Sequence, residues 1–427
     1  MRIIVAHPGK QHSYRLASAL KKDGSLTYYI TTFYAKESSM ITRSLRYIVR
    51  GNDLKRLSSH RNNELNDNDV KLFCEIGGLT EIIASRLDSS RNIYRWIHRR
   101  VSNRFGVKVA KLAIEEKVDA VVAYDSNATT CFRFLKQNAP EIVRILDVSS
   151  APRPFLKTVY DYEIDKSGRS DLRRANRHLW NKRLLSRFQT EINDAQFFVV
   201  PSDYIGTGLK KCGVKDEQII TVPYGANVSS DVSHRTLYEH EQVRFLFVGN
   251  ATYQKGLPYL LACMKQLKGE ALLTVTGRYN SKDWFVKDSL QDSNIEFTGF
   301  ITGDRMQKIY EEADVMIVPS FSEGMSQVGI EAMACGLPII CTTNSGVNDL
   351  VIEGKNGFVI EPGDQEQLIE KMSWFIGHKE RIKEMGENAR DVARDYSWSR
   401  YEINVAAALH KILDEKPNQL KYRKCTD

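Results

Sequence analysis

The 427-residue chain has no uninterrupted apolar run approaching the ~18 residues of a membrane span. Its opening, MRIIVAHPG, reads as a short strand entering a loop, and no apolar core long enough for a secretion signal follows. Cysteine offers little. Cys74, Cys131, Cys212, Cys263, Cys335, Cys341 and Cys425 are odd in number and share no short spacing. That argues against a disulfide framework or a zinc site and predicts a reducing, cytoplasmic compartment. The sequence carries no metal-ligating constellation, internal repeat or low-complexity tract.

What is present is an ordinary globular composition at a length that calls for two domains of about 200 residues. The net charge of +8 is unevenly spread: residues 36–108 hold 15 Lys or Arg against 8 Asp or Glu. Arg95, Trp96, His98, Arg99, Arg100 and Arg104 fall on one predicted helix, and a second basic run extends from Arg169 through Arg187. Such clusters suit an anionic membrane surface, a lipid-linked phosphate or nucleic acid, although solvated helix faces are the commoner explanation.

The first half begins with a buried strand at 3–6, a loop containing Gly9, Lys10 and His12, an amphipathic helix at 14–22 and a strand at 28–33. This β–loop–α–β opening belongs to a doubly wound sheet, which places ligands at the carboxyl ends of its strands. Gly9 would let the backbone approach a phosphate or sugar closely, and a plain turn is the alternative. Residues 36–108 read mostly as helices and polar connections. Strands follow at 118–124 and 142–146, the second running into Asp147, Ser149 and two prolines that stop any helix. Strands at 197–200 and 219–222 close this half.

Residues 229–241 lack apolar periodicity and read as a connection. The second half then opens with a strand at 243–248, a loop at 249–256 and a helix at 257–267, with Lys255 just ahead of the helix. Further strands are predicted at 272–276 and 295–299, and a helix at 304–312. Residues 313–342, ADVMIVPSFSEGMSQVGIEAMACGLPIICT, read as strand, loop, short buried helix and strand. A helix starting near Ser326 aims free amides and a positive dipole end at the loop, a seat for phosphate. Glu323 lies at its mouth, and Glu331, about two turns further in, could accept bonds from a ribose. A ligand with hydroxyls at both ends and phosphate between them is a nucleotide-sugar. The plainer reading leaves Glu323 complementing the dipole and Glu331 on a solvated face.

Glu323–Gly324, seven intervening residues, then Glu331-Ala-Met-Ala-Cys-Gly-Leu-Pro resembles the signature of family-4 retaining glycosyltransferases, with Ser326 where a second glycine is usual. The resemblance covers residues 190–410 strongly and the first 190 weakly. It implies an α/β GT-B fold, two facing Rossmann-like doubly wound domains with a cleft between them. Their expected bounds are 1–228 for the acceptor side and 229–398 for the donor side. A helix at about 399–413 would return to the first domain, followed by a polar, frayed tail at 414–427.

The same resemblance implies sugar transfer from a UDP- or GDP-sugar to a glycan or lipid-linked acceptor of bacterial surface polysaccharide, with retention, no metal and no nucleic acid. The region 36–108 would rest on the membrane. Lys255 and the amides of Met325, Ser326, Gln327 and Val328 would hold the diphosphate, Glu323 and Gly324 the sugar, and Glu331 the ribose. Gly299 and Phe300 would frame the base, and Gly9 would approach the donor. The family's arginine after the first glycine of the donor loop is replaced by Asn250, with Arg278 as its substitute. Its first-domain histidine has no counterpart, which leaves His12, Asp147 and Ser149 as acceptor-side candidates. A nucleotide-sugar 2-epimerase and a non-catalytic binding protein on the same scaffold are the competing readings.

Overall fold

The computed structural model describes residues 1–9, 11–36, 39, 61–88, 92–227 and 241–423. Seven short segments, most of them apolar runs, become strands Ile3–Ala6 (β1), Leu26–Thr31 (β2), Val70–Leu72 (β3), Ala120–Tyr124 (β4), Val143–Asp147 (β5), Phe197–Val200 (β6) and Ile219–Thr221 (β7). They form one sheet in the order β3-β2-β1-β4-β5-β6-β7, every pairing parallel. Helices cover both faces of such a sheet, so its strands are apolar at successive positions and not at alternate ones. Accordingly every residue of β1 and β4 is buried.

The second sheet repeats the plan with Val243–Val248 (β8), Ala271–Thr276 (β9), Ile295–Gly299 (β10), Val315–Val318 (β11), Ile339–Thr342 (β12) and Gly357–Ile360 (β13). Its order is β10-β9-β8-β11-β12-β13, again all parallel. Each sheet has one place where the chain's winding reverses. β1 lies between β2 and β4, and β8 lies between β9 and β11. The loops leaving the two strands at a reversal diverge, which opens a crevice at their carboxyl ends.

The two halves share apolar packing. One buried cluster contains Val5 and Val122 of the first sheet and Met316 and Ile339 of the second. It also takes in Tyr401, Val405 and Leu409 of the last helix, Trp398–Arg423. That helix is tied to the first domain by Lys22 Nζ on Glu402 Oε2 at 2.6 Å and by His410 Nε2 to Asp23 Oδ2 at 3.1 Å. Each fully buried apolar side chain of this kind contributes roughly 1.5–3 kcal/mol, so the returning helix is part of the first domain's core.

Three expectations change. The stretch 36–108 contains a strand, β3, because Val70–Leu72 pairs with β2 through Tyr29 to Thr31. The polar tail is helical through Arg423: once the packed turns at 398–413 have formed the nucleus, each added residue costs little. The stretch 346–352, whose sequence predicts a helix, forms only a 3-10 turn, Val347–Leu350. The predicted connection at 229–241 lies outside the described residues apart from Glu241. Of the seven cysteines, the six described are all free thiols, and no helix among the described residues is long and apolar enough to cross a membrane.

Candidate functional site

The loops leaving β8 and β11, the pair at the second sheet's reversal, carry Lys255 and Glu323. Backbone conformation brings them together. Gly256 has φ +72°, and a Cβ there would lie 1.8 Å from the Pro319 carbonyl oxygen, so only glycine lets the two loops touch. The Phe321 amide donates to the Gln254 carbonyl at 2.8 Å, and Gln254 Nε2 donates to the Ser322 carbonyl at 3.1 Å. Thus fixed, Lys255 Nζ meets Glu323 Oε2 at 2.5 Å, with the carboxylate largely buried. The other oxygen, Oε1, accepts from Ser320 Oγ.

Gly324 then passes against the first domain. Its carbonyl accepts from Ser202 Oγ at 2.6 Å, and a Cβ on it would lie 2.0 Å from the Ser149 carbonyl oxygen. Beside this contact lies a half-open cavity of about 370 Å³ between the domains. Lys255, Ser322, Glu323 and Gly324 line one side, and Ser150, Arg153, Leu156 and His178 the other. Burial and the nearby Arg153 cation both push the His178 imidazole below its ordinary value, so it is neutral near pH 7. The charges left on the wall are Lys255, Arg153 and one carboxylate, a setting for an anion flanked by hydroxyls.

The helix Gln327–Ala334 starts beside this cavity with Ser326 as its N-cap. Ser326 is fully buried, and its Oγ has no hydrogen-bond partner among the described residues. The first helical amides, Gln327 and Val328, have no carbonyl one turn earlier in the helix to donate to. Gln327 is exposed and borders a second, larger cavity of about 730 Å³ shared with Gln11, His12, Arg15, Arg61 and Trp398. The side chains of Met325 and Val328 turn into packing, Met325 Sδ accepting from the Tyr224 amide at 3.2 Å. From these two residues only the backbone is left for a ligand.

Glu331 lies deeper on the same helix, half-buried, and accepts from Tyr310 Oη at 3.2 Å. Burial pushes its carboxyl above the usual range, opposed by that bond. Asn250 is exposed on the β8 loop. Gly277, at φ +140°, would drive a Cβ to 1.9 Å from the Gly249 carbonyl oxygen, and the Ala251 amide donates to the Arg278 carbonyl at 2.9 Å. Arg278 therefore stands beside Asn250, its guanidinium over the exposed Phe300 ring at 5.2 Å, just past Gly299.

On the first domain the predicted candidates separate. His12 Nε2 bonds both Asp147 oxygens, at 3.1 and 3.0 Å, and both side chains are buried. The imidazole packs on Tyr124 and Tyr224. Ser149 Oγ and its amide donate to Asp125 Oδ1, at 3.0 and 3.2 Å. His12 and Asp147 thus support the floor under the cleft, and Ser149 presents its carbonyl to Gly324. Gly9 lines a different cavity, at the first sheet's reversal, with His7 and Asn127. Lys10 lies outside the described residues.

Residue patterns missed Ser320, Tyr310, Arg153 and His178. His178 belongs to the basic run at 169–187, whose position in the fold no local pattern reveals.

Residues 232–392 match the family described as Glycosyl transferases group 1. An uncharacterised glycosyltransferase of Methanocaldococcus jannaschii is 30% identical over 190 residues, 44% of this chain and 54% of that relative. The matched stretch thus spans about half the length of that curated relative. HepE of Anabaena, solved in complex with UDP, superposes with a TM-score of 0.63 at 15% identity, covering 96% of this chain and 100% of that one. The lipopolysaccharide outer core galactosyltransferase WaaB gives 0.62 at 14% identity, covering 96% and 99%. The two facing parallel sheets are a GT-B fold, shared with these structures.

Proposed function

We propose that the protein is a retaining, metal-independent glycosyltransferase, moving a sugar from a UDP- or GDP-sugar to a glycan or lipid-linked acceptor in surface polysaccharide synthesis. The observation that carries this reading is the Lys255–Glu323 pair, 2.5 Å apart on the wall of the interdomain cavity beside the start of the helix Gln327–Ala334. A departing nucleoside diphosphate needs positive charge and amide donors fixed before the bond breaks. Lys255 and the first helical amides supply both. Glu323 accepts from the sugar hydroxyls and sets the ring's orientation. Glu331 holds the ribose.

Retention is carried over from the resemblance of the stretch Glu323 to Pro338 to retaining transferases. Among the described residues that line the cavity Glu323 is the one carboxylate, which leaves a glycosidase-like pair without its second member. In the retaining reaction proposed, the acceptor attacks from the leaving group's own face, and the departing phosphate oxygen takes its proton. The polysaccharide setting is supported by the likeness to a putative colanic acid biosynthesis glycosyltransferase of Salmonella typhimurium, 24% identical over 226 residues, and WaaB, a lipopolysaccharide galactosyltransferase, shares the fold.

A peripheral membrane position accounts for an exposed apolar face on two packed helices of the first domain. Ile76 and Ile83 of the helix Glu75–Leu87, and Ile93 and Trp96 of the helix Asn92–Glu115, are all more than half exposed. Arg100 lies 3.8 Å over the Trp96 ring.

The test is incubation with a panel of UDP- and GDP-sugars, with proton NMR of the products. Slow release of nucleoside diphosphate and an α-configured sugar from one α-linked donor is expected. Interconversion of the donor without release would identify an epimerase instead.

A further inference from the structure

The helix Arg153–Ser167 stands between the domains, and two cavities open on it. Arg153 and Leu156, in its first turn, line the cavity that holds Lys255 and Glu323. Phe155, Val159, Glu163 and Lys166, three or four residues apart on a second face, line another of about 360 Å³. Its opposite wall belongs to the second domain: Phe321, Asn344, Glu361, Pro362 and Asp364. The turn after Pro362 comes this close because residue 363 has no side chain. At φ +76°, a Cβ on Gly363 would lie 2.9 Å from both Glu163 Oε2 and the Phe321 ring.

Glu163 is 3% exposed, and its Oε1 accepts from Tyr259 Oη of the second domain. Oε2 takes no hydrogen bond from the described residues, and it lies against the turn whose Pro362 and Asp364 line the cavity. A carboxylate oxygen only accepts, so one left unmet between two domains calls for a donor from a ligand. The rim asks for the reverse. Lys166 and Lys211 are exposed and belong to no ion pair among the described residues, Lys211 Nζ standing 5.0 Å over the Phe155 ring. An ammonium only donates, so this edge calls for an anion.

The cavity is also connected with the Lys255–Glu323 site. Asn344 Nδ2 donates to the Phe321 carbonyl at 3.0 Å, and the Glu323 amide donates to the Asn344 carbonyl at 2.9 Å. The Phe321 amide holds Gln254, the neighbour of Lys255. Two residues of this wall therefore fix the loops that carry both groups.

We propose that this second cavity is an effector site for a phosphorylated monosaccharide, whose hydroxyls donate to Glu163 Oε2 and whose phosphate meets Lys166 and Lys211. Three carboxylates, Glu163, Glu361 and Asp364, share the wall, and several hydroxyls meet them where the single ammonium of an amino acid does not. Phe155 and Phe321 offer aromatic surface to the sugar's C–H groups, and the two lysines give the phosphate charge-assisted bonds. Because both domains build the site, the ligand binds the closed arrangement in preference to a separated one. It thereby favours the state in which Lys255 and Glu323 face the first domain. The effect on turnover rests on the transferase reading given above, and the binding itself does not.

Calorimetric titration of the full chain with glucose 1-phosphate, glucose 6-phosphate and mannose 6-phosphate tests this, with inorganic phosphate, UDP and GDP as separate probes. At least one sugar phosphate should bind wild type. Its affinity should fall at least 10-fold in Lys166→Ala/Lys211→Ala, two exposed positions, and in Glu163→Gln, which keeps an acceptor for Tyr259 and replaces the free oxygen by an amide. The same affinity should be unchanged in Lys255→Ala, and nucleotide affinity unchanged in the lysine double variant. If Glu163→Gln fails to fold, the double variant decides alone. Failure of every sugar phosphate to bind, or binding that survives the double variant, overturns the site. So does binding that is lost in Lys255→Ala, or inorganic phosphate binding as tightly as the best sugar phosphate. If a sugar phosphate binds as expected while UDP and GDP do not, the site stands and the transferase reading fails.

Discussion

Two glutamates eight residues apart have different surroundings, and those surroundings assign different work. Glu323 is locked by Lys255 and Ser320 at the cavity wall, whereas Glu331 is half-buried against Tyr310. A group held rigid at the reacting sugar acts on the transition state, and one that grips a remote part of the donor acts on binding. Glu323→Ala should therefore lower kcat about 100-fold with KM changed less than about 3-fold. Glu331→Ala should raise the donor KM about 10-fold with kcat nearly kept. Steady-state kinetics of both variants decide it, and reversal of the two patterns would contradict the assignment. Lys255, Glu323 and Glu331 were singled out in the sequence by the resemblance of their stretches to the family's donor loop and signature, beside predicted helix starts. Arg153 and His178 were not. They reach the same cavity from a separate domain, and only the closure of Gly324 on Ser149 makes them neighbours.

Among the elements, the helix Thr129–Asn138 is capped from a distance. Glu191 accepts from the amides of Ser126, Ala128 and Thr129 at 2.7–2.9 Å and from Thr129 Oγ1 at 3.1 Å. Complete burial nonetheless outweighs those bonds and raises its carboxyl to about 7. The folded state then binds a proton more tightly than the unfolded chain. This contribution to stability is full below the unfolded value near 4.5 and is lost as pH rises through about 7. The size is about 3 kcal/mol at most. Urea unfolding at pH 5, 6 and 7 should show wild type losing stability relative to Glu191→Gln across that range. Parallel curves would contradict it. The cap was invisible in sequence, where Glu191 and Ser126 lie 65 positions apart. The strands were visible because parallel strands are continuously apolar. β3, with three residues and a lysine at its centre, lacks that signature.

At the scale of the whole molecule, the domains are joined at the apolar cluster, at Gly324 and at a cationic clamp. The Arg169 guanidinium lies 4.9 Å from both the Tyr253 and Trp284 rings, and Trp284 Nε1 donates to Tyr253 Oη at 3.0 Å. Tyr253 stands two residues before Lys255, so the clamp ties the first domain to the loop that bears the lysine. Contacts of this type are worth about 0.5–2 kcal/mol. Arg169→Ala should raise the donor KM by about 2- to 30-fold and increase the radius of gyration in solution scattering. An unchanged KM and scattering curve would show the clamp to be idle. The basic run at 169–187 was read as a surface for anions or solvent, and Arg169 is in fact turned toward aromatic rings of the other domain.

The most direct measurement is calorimetric titration of the full chain with UDP and with GDP, in wild type and Lys255→Ala. One nucleotide should bind wild type, and binding should weaken at least 10-fold in the variant while its melting temperature stays within about 2 °C, since a charge-assisted contact to phosphate contributes about 1.5–3 kcal/mol. Failure of both nucleotides to bind wild type, or equal affinity in the two proteins, would contradict a diphosphate seat at Lys255 and the start of the helix Gln327–Ala334.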